Sequence, residues 1–175
     1  MKPETKQKLL PLLMTSAVLV LDQASKLIVS LAMAPDQSVA VLGDFFRFTL
    51  RRNPFVIFNL GSGLPPPFQT LVFIALPLLT LGLLLFFYFR EKDLRQAYRL
   101  PLAAILGGGL GNLSDRIFRP EGVVDFLDFK FFGIFGWPRW PTFNLSDASI
   151  TVGVAAIIVI WIVHEIQKRR AGICF

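Results

Sequence analysis

Cysteine and histidine are almost missing from this chain. Among 175 residues there is one of each, Cys174 and His164, which excludes a disulfide framework and leaves no material for a Cys- or His-built metal cluster. Charge is scarce as well, at 17% of residues against 54% hydrophobic, far from the balance of a soluble domain. The glycine-rich run at 107–111 has no strand before it and no phosphate-loop lysine after it, so a nucleotide-binding reading fails. The net charge of +6 sits beside apolar segments and forms no basic stripe interleaved with aromatics, so nucleic acid is not expected as a partner. What is abundant is apolar sequence. The composition is that of an integral membrane protein of one domain.

Four apolar runs, at about residues 9–34, 68–89, 98–117 and 146–165, are long enough to cross a bilayer as helices. The first follows Lys2, Lys6 and Lys8 and ends in Ala32-Met33-Ala34, which has the small-x-small look of a signal-peptide cleavage site. Asp22 and Lys26 would then lie in an overlong charged region before the cut, so the segment reads as a retained helix. Pro77 is expected to kink the second run, which neighbouring helices tolerate in a membrane. The expected fold is an α-helical integral membrane protein with four transmembrane helices and a small extracytoplasmic β-sheet and loop region.

The outer loops are expected at 35–67 and 118–145. In the first, Val39-Ala40-Val41-Leu42, Phe46-Arg47-Phe48-Thr49-Leu50 and Phe55-Val56-Ile57-Phe58 are β-branched and aromatic stretches bounded by Gly, Pro and Asn, and they read as short strands. Ten of the 18 Lys and Arg lie in the short N-tail, the hinge at 90–99 and the short C-tail. Both termini should therefore face the cytoplasm and the 118–145 loop the outside, with Trp137 and Trp140 in the outer interfacial belt. Cys174 is read as an incidental tail residue, lipidation or thiol reactivity being the alternative.

Asp125 and Asp147 bound the stretch the rest of the chain is organised around. Asp125 lies in Val123-Val124-Asp125-Phe126, a strand or helix edge with no adjacent cation, and Asp147 opens the fourth apolar run. Asn144-Leu145-Ser146-Asp147 also resembles a helix N-cap, which gives Asp147 a purely structural reading. Two carboxylates brought together in low dielectric cannot both ionise easily, so one keeps a proton while the other accepts one. Such a pair can activate water for amide hydrolysis without metal or covalent intermediate. Asp128, three residues beyond Asp125, competes for the role but has nothing comparable around it. Asp22 and Lys26, four apart with the acid first, can pair on one helix face. Gly107 and Gly111 offer a small-xxx-small surface for close helix approach, and Asn112, Asp115 and Arg116 follow on the last turns, placed to support a site. His164 falls at the far end of the fourth run from both acids. Ser146, Ser149 and Thr151 lack a nearby base and suit helix packing.

Taken in order, Asp22-Gln23-Ala24-Ser25-Lys26, the run GGGLGNLSDR at 107–116, Gly122-Val123-Val124-Asp125-Phe126 and the run FNLSDASITVG at 143–153 resemble the bacterial lipoprotein signal peptidases, signal peptidase II. The resemblance implies an aspartyl peptidase of the bacterial cell (inner) membrane. It would cleave the signal peptide from diacylglyceryl-modified prolipoproteins on the amino side of the lipidated cysteine, with no cofactor. Asp125 and Asp147 match the catalytic pair; Asn53, Asn112, Arg116 and Asn144 match polar residues around the substrate, with Asp22, Lys26 and Asp115 as further matching positions. Implied partners are the lipid-modified substrate, membrane lipid and inhibitors of the globomycin type; a monomer is expected. Asn53-Pro54-Phe55-Val56-Ile57-Phe58 departs from the family's Asn-x-Gly-x-Ala-Phe, putting bulky residues where small ones stand, and Ser146 replaces a common alanine. The residues alone leave open an ion or proton relay through Asp22, Lys26, Asp115 and Asp147, a scaffold held by polar contacts, and a metal hydrolase with a poor ligand set.

Overall fold

Long apolar runs form helices because the backbone then satisfies its own hydrogen bonds, the condition for entering a bilayer. The computed structural model describes residues 3–54, 63, 65–91 and 94–170. In chain order these give α1 (Pro3–Leu9), α2 (Leu12–Ala32), β1 (Ser38–Leu42), β2 (Phe46–Asn53), α3 (Pro66–Thr70), a π-helical turn (Leu71–Ala75), α4 (Leu76–Arg90), α5 (Gln96–Phe118), β3 (Val123–Phe129), a 3-10 turn (Ile134–Gly136) and α6 (Leu145–Arg170). Cys174, Lys2 and the 55–58 stretch expected as a strand lie outside the described residues.

Among the described residues, three stretches are long and apolar enough to cross a membrane: Thr5–Ala32, Pro67–Arg90 and Leu145–Arg170. The fourth long helix, α5, has 23 residues, about 34 Å of helix at 1.5 Å per residue, and it carries Arg99, Asp115 and Arg116 among glycines and apolar residues. It can do so because it is the most enclosed. Arg99, Ala103, Leu106, Gly107, Gly108, Gly111, Leu113 and Asp115 are buried on it, while α2, α4 and α6 pack around it. The outer faces of the three apolar stretches stay uncovered by protein, as at Leu31, Ile28, Leu79 and Val152, which is what a lipid-facing surface requires.

Glycine brings the helices to α5 closely. A Cβ on Gly107 would stand 2.8 Å from the Thr15 carbonyl oxygen and from Val18 Cβ on α2. Gly108 meets the Ser146 carbonyl on α6, and a Cβ on Gly111 would lie 2.6 Å from Asp22 Oδ2. Close approach, as the 107–111 spacing suggests, is therefore the work of these glycines. The wide turn before Pro77 has an equally local cause. Pro77 cannot donate and its ring crowds the carbonyl four residues back; the backbone opens into i→i−5 bonding, with Leu76 N–H donating to Leu71 O. At the end of the bundle away from the sheet the last carbonyls of α4 are capped by cations: Lys8 Nζ donates to Phe89 O at 2.9 Å and buried Arg99 to Tyr88 O at 3.2 Å.

Over the other end of the bundle lies an antiparallel sheet in the order β1-β2-β3. Between Phe48↔Leu127 and Arg51↔Asp125 the register slips by one residue, a bulge in β2 beside the acid of interest, where bulges commonly re-aim side chains. Both faces of β3 are buried at its start, so Asp125 shares its face with Val123 and Leu127 while Asp128 points the opposite way.

Gly111→Ala should lower the thermal midpoint by the equivalent of about 1–3 kcal/mol, measured by unfolding in detergent. Gly82→Ala, where an added methyl meets nothing within 4 Å, should be neutral or gain up to about 1 kcal/mol of helix propensity. The Ser146 hydroxyl is buried without a hydrogen-bond partner, so Ser146→Ala should stabilise by about 1 kcal/mol in the same assay.

Candidate active site

Asp125 enters the site from β3 and Asp147 from the first turn of α6, and both line a single cavity of about 510 Å³. Asn53, Asn112 and Arg116 line it with them, as do Trp140, Pro141, Thr142 and Phe143 of the β3–α6 connection and Ala148, Thr151 and Val152 of α6. The wall thus runs from polar groups near the sheet down an apolar helix face.

The start of α6 is a reciprocal cap. Asp147 N–H donates to Asn144 Oδ1 at 3.0 Å, and Asn144 N–H donates to Asp147 Oδ2 at 3.1 Å, so each satisfies the other's orphan group. The other carboxylate oxygen, Oδ1, accepts Asn112 Nδ2 at 2.7 Å. Asn144 Nδ2 donates to Asp125 Oδ1 at 2.8 Å and to Asn112 Oδ1 at 3.1 Å. Asn53 Nδ2 reaches Asp125 Oδ2 at 3.2 Å. One asparagine therefore touches both acids, and helix capping and acid positioning are the same set of bonds.

Behind this layer lies a buried ion cluster. Lys26 Nζ stands 2.8 Å from Asp22 Oδ2 and 2.9 Å from Asp115 Oδ2, with all three side chains fully enclosed. Its third bond, 2.9 Å, goes to Asn112 Oδ1. Asp22 Oδ1 accepts Ser146 N–H at 2.9 Å, a second tie to the start of α6, and Asp115 Oδ2 accepts Val124 N–H at 3.2 Å beside Asp125. The i,i+4 pairing expected of Asp22 and Lys26 is present. Asn144, Asp115, Asp22 and Lys26 do not line the cavity; they sit behind its wall.

Burial pushes Asp125 up to about 7, with the nearby Asp147 charge adding to the rise; the Asn53 and Asn144 hydrogen bonds and the Lys26 charge pull the other way. A carboxyl of this kind is half protonated at neutral pH, the property required of a proton donor. Arg116 places its guanidinium 5.3 Å from the Phe73 ring centroid at the cavity wall, one turn beyond Asn112 on the same face of α5.

Asp128 has more around it than its sequence context suggests, and what surrounds it is structural. It accepts Thr49 Oγ1 at 2.7 Å and Arg139 Nε at 2.6 Å on the face of β3 away from the cavity. His164 lies 17 residues beyond Asp147 on one helix, about 25 Å away, and Ser149 Oγ donates to Ala104 O at 2.9 Å as helix packing. Among the described residues no group of three or more His, Cys, Asp and Glu could hold a metal ion. Sequence reasoning missed Gln23, whose Nε2 donates to Asp22 Oδ2, Gly111 O and Asp115 Oδ1, and Arg119, 3.0 Å from Asp115 Oδ1. The i,i+4 spacing of Asp115 and Arg119 was a usable signal; nothing in the sequence marks Gln23 as bonded across helices.

Comparison with known proteins bears directly on this arrangement. The profile of signal peptidase (SPase) II matches residues 14–163. The chain is 43% identical to a lipoprotein signal peptidase of Treponema pallidum over 87% of its length and 83% of the relative's. It is 39% identical to the protein of that name from Treponema denticola over 92% and 93%. Two solved bacterial membrane enzymes share the fold, one with a TM-score of 0.77 at 27% identity, covering 90% of both chains, the other with 0.72 at 28%, covering 86% and 91%. With a profile match across most of its length and relatives this close, the chain belongs to the signal peptidase II family.

Proposed function

We propose that this membrane protease is an aspartic endopeptidase that cuts diacylglyceryl-modified prolipoproteins on the amino side of the lipidated cysteine. The observation that carries the reading is the convergence of Asp125 and Asp147 on one cavity, with Asp125 held near neutrality in its proton affinity. In the state with one shared proton, Asp147 takes a proton from a water as its oxygen attacks the scissile carbonyl carbon, and Asp125 gives its proton to the carbonyl oxygen. The tetrahedral diol then collapses: a proton passes through the pair to the amide nitrogen, the C–N bond breaks, and the acid and amine leave with the pair again sharing one proton. Asn112 and Asn144 hold the acids in register, while Asn53 and Arg116, at the cavity wall, can receive the polar backbone of the substrate. Lys26, Asp22 and Asp115 support Asn112 and the two acid-bearing elements from behind.

The apolar lower wall, Ala148, Thr151 and Val152, faces the side of α6 that lipid covers. A substrate that is itself a membrane segment can enter there by lateral diffusion with its acyl chains left in lipid. The concentration of cations in both tails and the 90–99 hinge supports four spans, α5 included, with termini in the cytoplasm and the acids at the outer face of a bacterial inner membrane. The working unit on this reading is a monomer, with Asn53, Asn112 and Asn144 reaching the acids within the same chain. Lipopeptide inhibitors of the globomycin type, part peptide and part lipid, suit the same cavity. An ion relay would need the acids linked to the inner face, and the buried cluster runs only from Gln23 at the middle of α2 to Arg119 at the C-terminal end of α5.

Three outcomes test this. Asp125→Asn and Asp147→Asn should each reduce cleavage of a lipid-modified substrate by about 10²–10⁴-fold while the protein stays folded in the membrane; cleavage retained in both would reject the dyad. The pH–rate profile should lose activity as pH rises through about 7, where Asp125 gives up its proton. Because that carboxyl binds its proton more tightly folded than unfolded, its contribution to stability is present at low pH and is lost as pH rises from about 4 through about 7. Asp125→Asn should therefore raise the unfolding midpoint relative to the parent at pH 8 more than at pH 5.

A further inference from the structure

The β3–α6 connection does more than close the cavity. It leaves the sheet as a narrow finger: Lys130 pairs with Arg139 and Leu127 with Phe143, and Phe131 N–H donates to Pro138 O at 2.9 Å and Gly133 N–H to Trp137 O at 2.9 Å. Its tip carries the most exposed aromatic side chain among the described residues, Phe135 at 86% exposed, with Phe132 at 68% and Ile134 at 50%. Phe132 and Phe135 also adopt left-handed backbone, φ 57° and 54°, a region that costs a bulky residue energy. A backbone so constrained, holding rings that stay largely exposed although Phe132 meets Phe45 and Phe135 meets Phe131, is built to put those rings into something else.

We propose that the finger inserts its tip into the outer leaflet and sets the height of Asp125 and Asp147 relative to the lipid surface. Three features select lipid as the occupant. Residues 131–138 carry no charge, and the cations that flank them, Lys130 and Arg139, are paired with Asp44 and Asp128, so an apolar tip can enter lipid while its charges stay matched at the base. The exposed apolar surface continues onto the β1–β2 hairpin, where Phe45 stacks on Phe132 at 6.3 Å and Leu42 stands 63% exposed. The returning limb, Trp140 to Phe143, leads within two residues into α6, a span whose lipid-facing side is already apolar.

The finger is stiff where it meets the site, so that depth at the tip becomes height at the acids. Arg139 donates from Nε to Asp128 Oδ1 at 2.6 Å, from Nη2 to Asp128 O at 3.2 Å and from Nη1 to Asp44 O at 2.9 Å. Asp128 is on the strand that carries Asp125, and Trp140, next to Arg139, lines the cavity. Lys130 and Arg139 hold the exposed Asp44 carboxyl below its ordinary range, which keeps that clasp ionised at any pH where the enzyme works. This role rests on the peptidase reading above.

Two measurements on the full chain test it. With Cys174→Ser and Phe135→Cys, an environment-sensitive fluorophore on residue 135 in phosphatidylethanolamine–phosphatidylglycerol vesicles should be quenched by a spin label high on the acyl chain and shielded from aqueous iodide; a label at Glu121→Cys should behave the opposite way. Quenching of the 135 label by iodide alone overturns insertion, including the case in which a soluble partner covers the tip. The pair Phe132→Asp and Phe135→Asp should then cut turnover of a lipid-modified substrate about tenfold in vesicles and leave it unchanged in detergent micelles, where no plane fixes the height. Equal loss in both media overturns the height-setting role. A parent enzyme inactive in both would count against the peptidase reading, and the quenching result would stand apart from it.

Discussion

A single ammonium group holds the sheet-bearing half of the molecule together. Lys26 is fully enclosed, and an isolated cation there would cost several kcal/mol of lost hydration. Its three donors are consumed by Asp22, Asp115 and Asn112, so the charge is matched and no hydrogen is left over. Two carboxylates around one lysine leave a surplus of negative charge, which Arg119 at Asp115 and the amide N–H groups at the start of α6 and β3 offset. The cluster joins α2 to α5 directly, to α6 through Ser146 N–H, and to β3 through Val124 N–H. Those last two are the elements that deliver the acids.

The same lysine decides which way an amide points. Asn112 Oδ1 accepts from Lys26 Nζ and Asn144 Nδ2, so the Asn112 amide cannot rotate without facing nitrogen against donors. Its Nδ2 is thereby fixed on Asp147. Asn144 is fixed in turn, since its Oδ1 caps α6 and its Nδ2 has only acceptors in reach: Asn112 Oδ1, Val124 O and Asp125 Oδ1. Orientation passes from an ion pair through two amides to two acids. A network in which every member is satisfied is stiff, whereas one left half satisfied would be worse than an apolar core.

How much of this was legible in the sequence depends on range. Helices α2, α4, α5 and α6 follow from long apolar runs, the first of them broken by Asp22 and Lys26, and β1 and β2 from β-branched and aromatic stretches between Gly and Asn. The Asp22–Lys26 pair and the Asn144 cap are local, and their spacing announces them. That β3 is the third strand was only half visible, because a strand buried on both faces loses the alternation that marks a strand. The meeting of Asp125 with Asp147 was expected from context and family likeness, yet their common tie, Asn144, works through side-chain geometry that no periodicity encodes. Gln23 and the Asp128–Arg139 clasp were missed for that reason. Both depend on which residues a turn or a helix crossing brings opposite each other.

The double duty of Asp147 explains why the site sits where a helix begins. The N3 position of a capped helix has its backbone fixed, and its side chain folds back toward the cap, so an acid placed there needs no further device to hold its orientation. The positive end of the helix also faces that carboxylate, easing the charge in surroundings that otherwise resist it. Asp125 faces no helix end: a strand has little net dipole, and burial raises its proton affinity despite the hydrogen bonds from Asn53 and Asn144. The two carboxylates thus reach one cavity from unlike elements, one at a helix start and the other on a buried strand. For the proposed dyad, it is the strand-borne acid, held near 7, that keeps a proton to give at neutral pH.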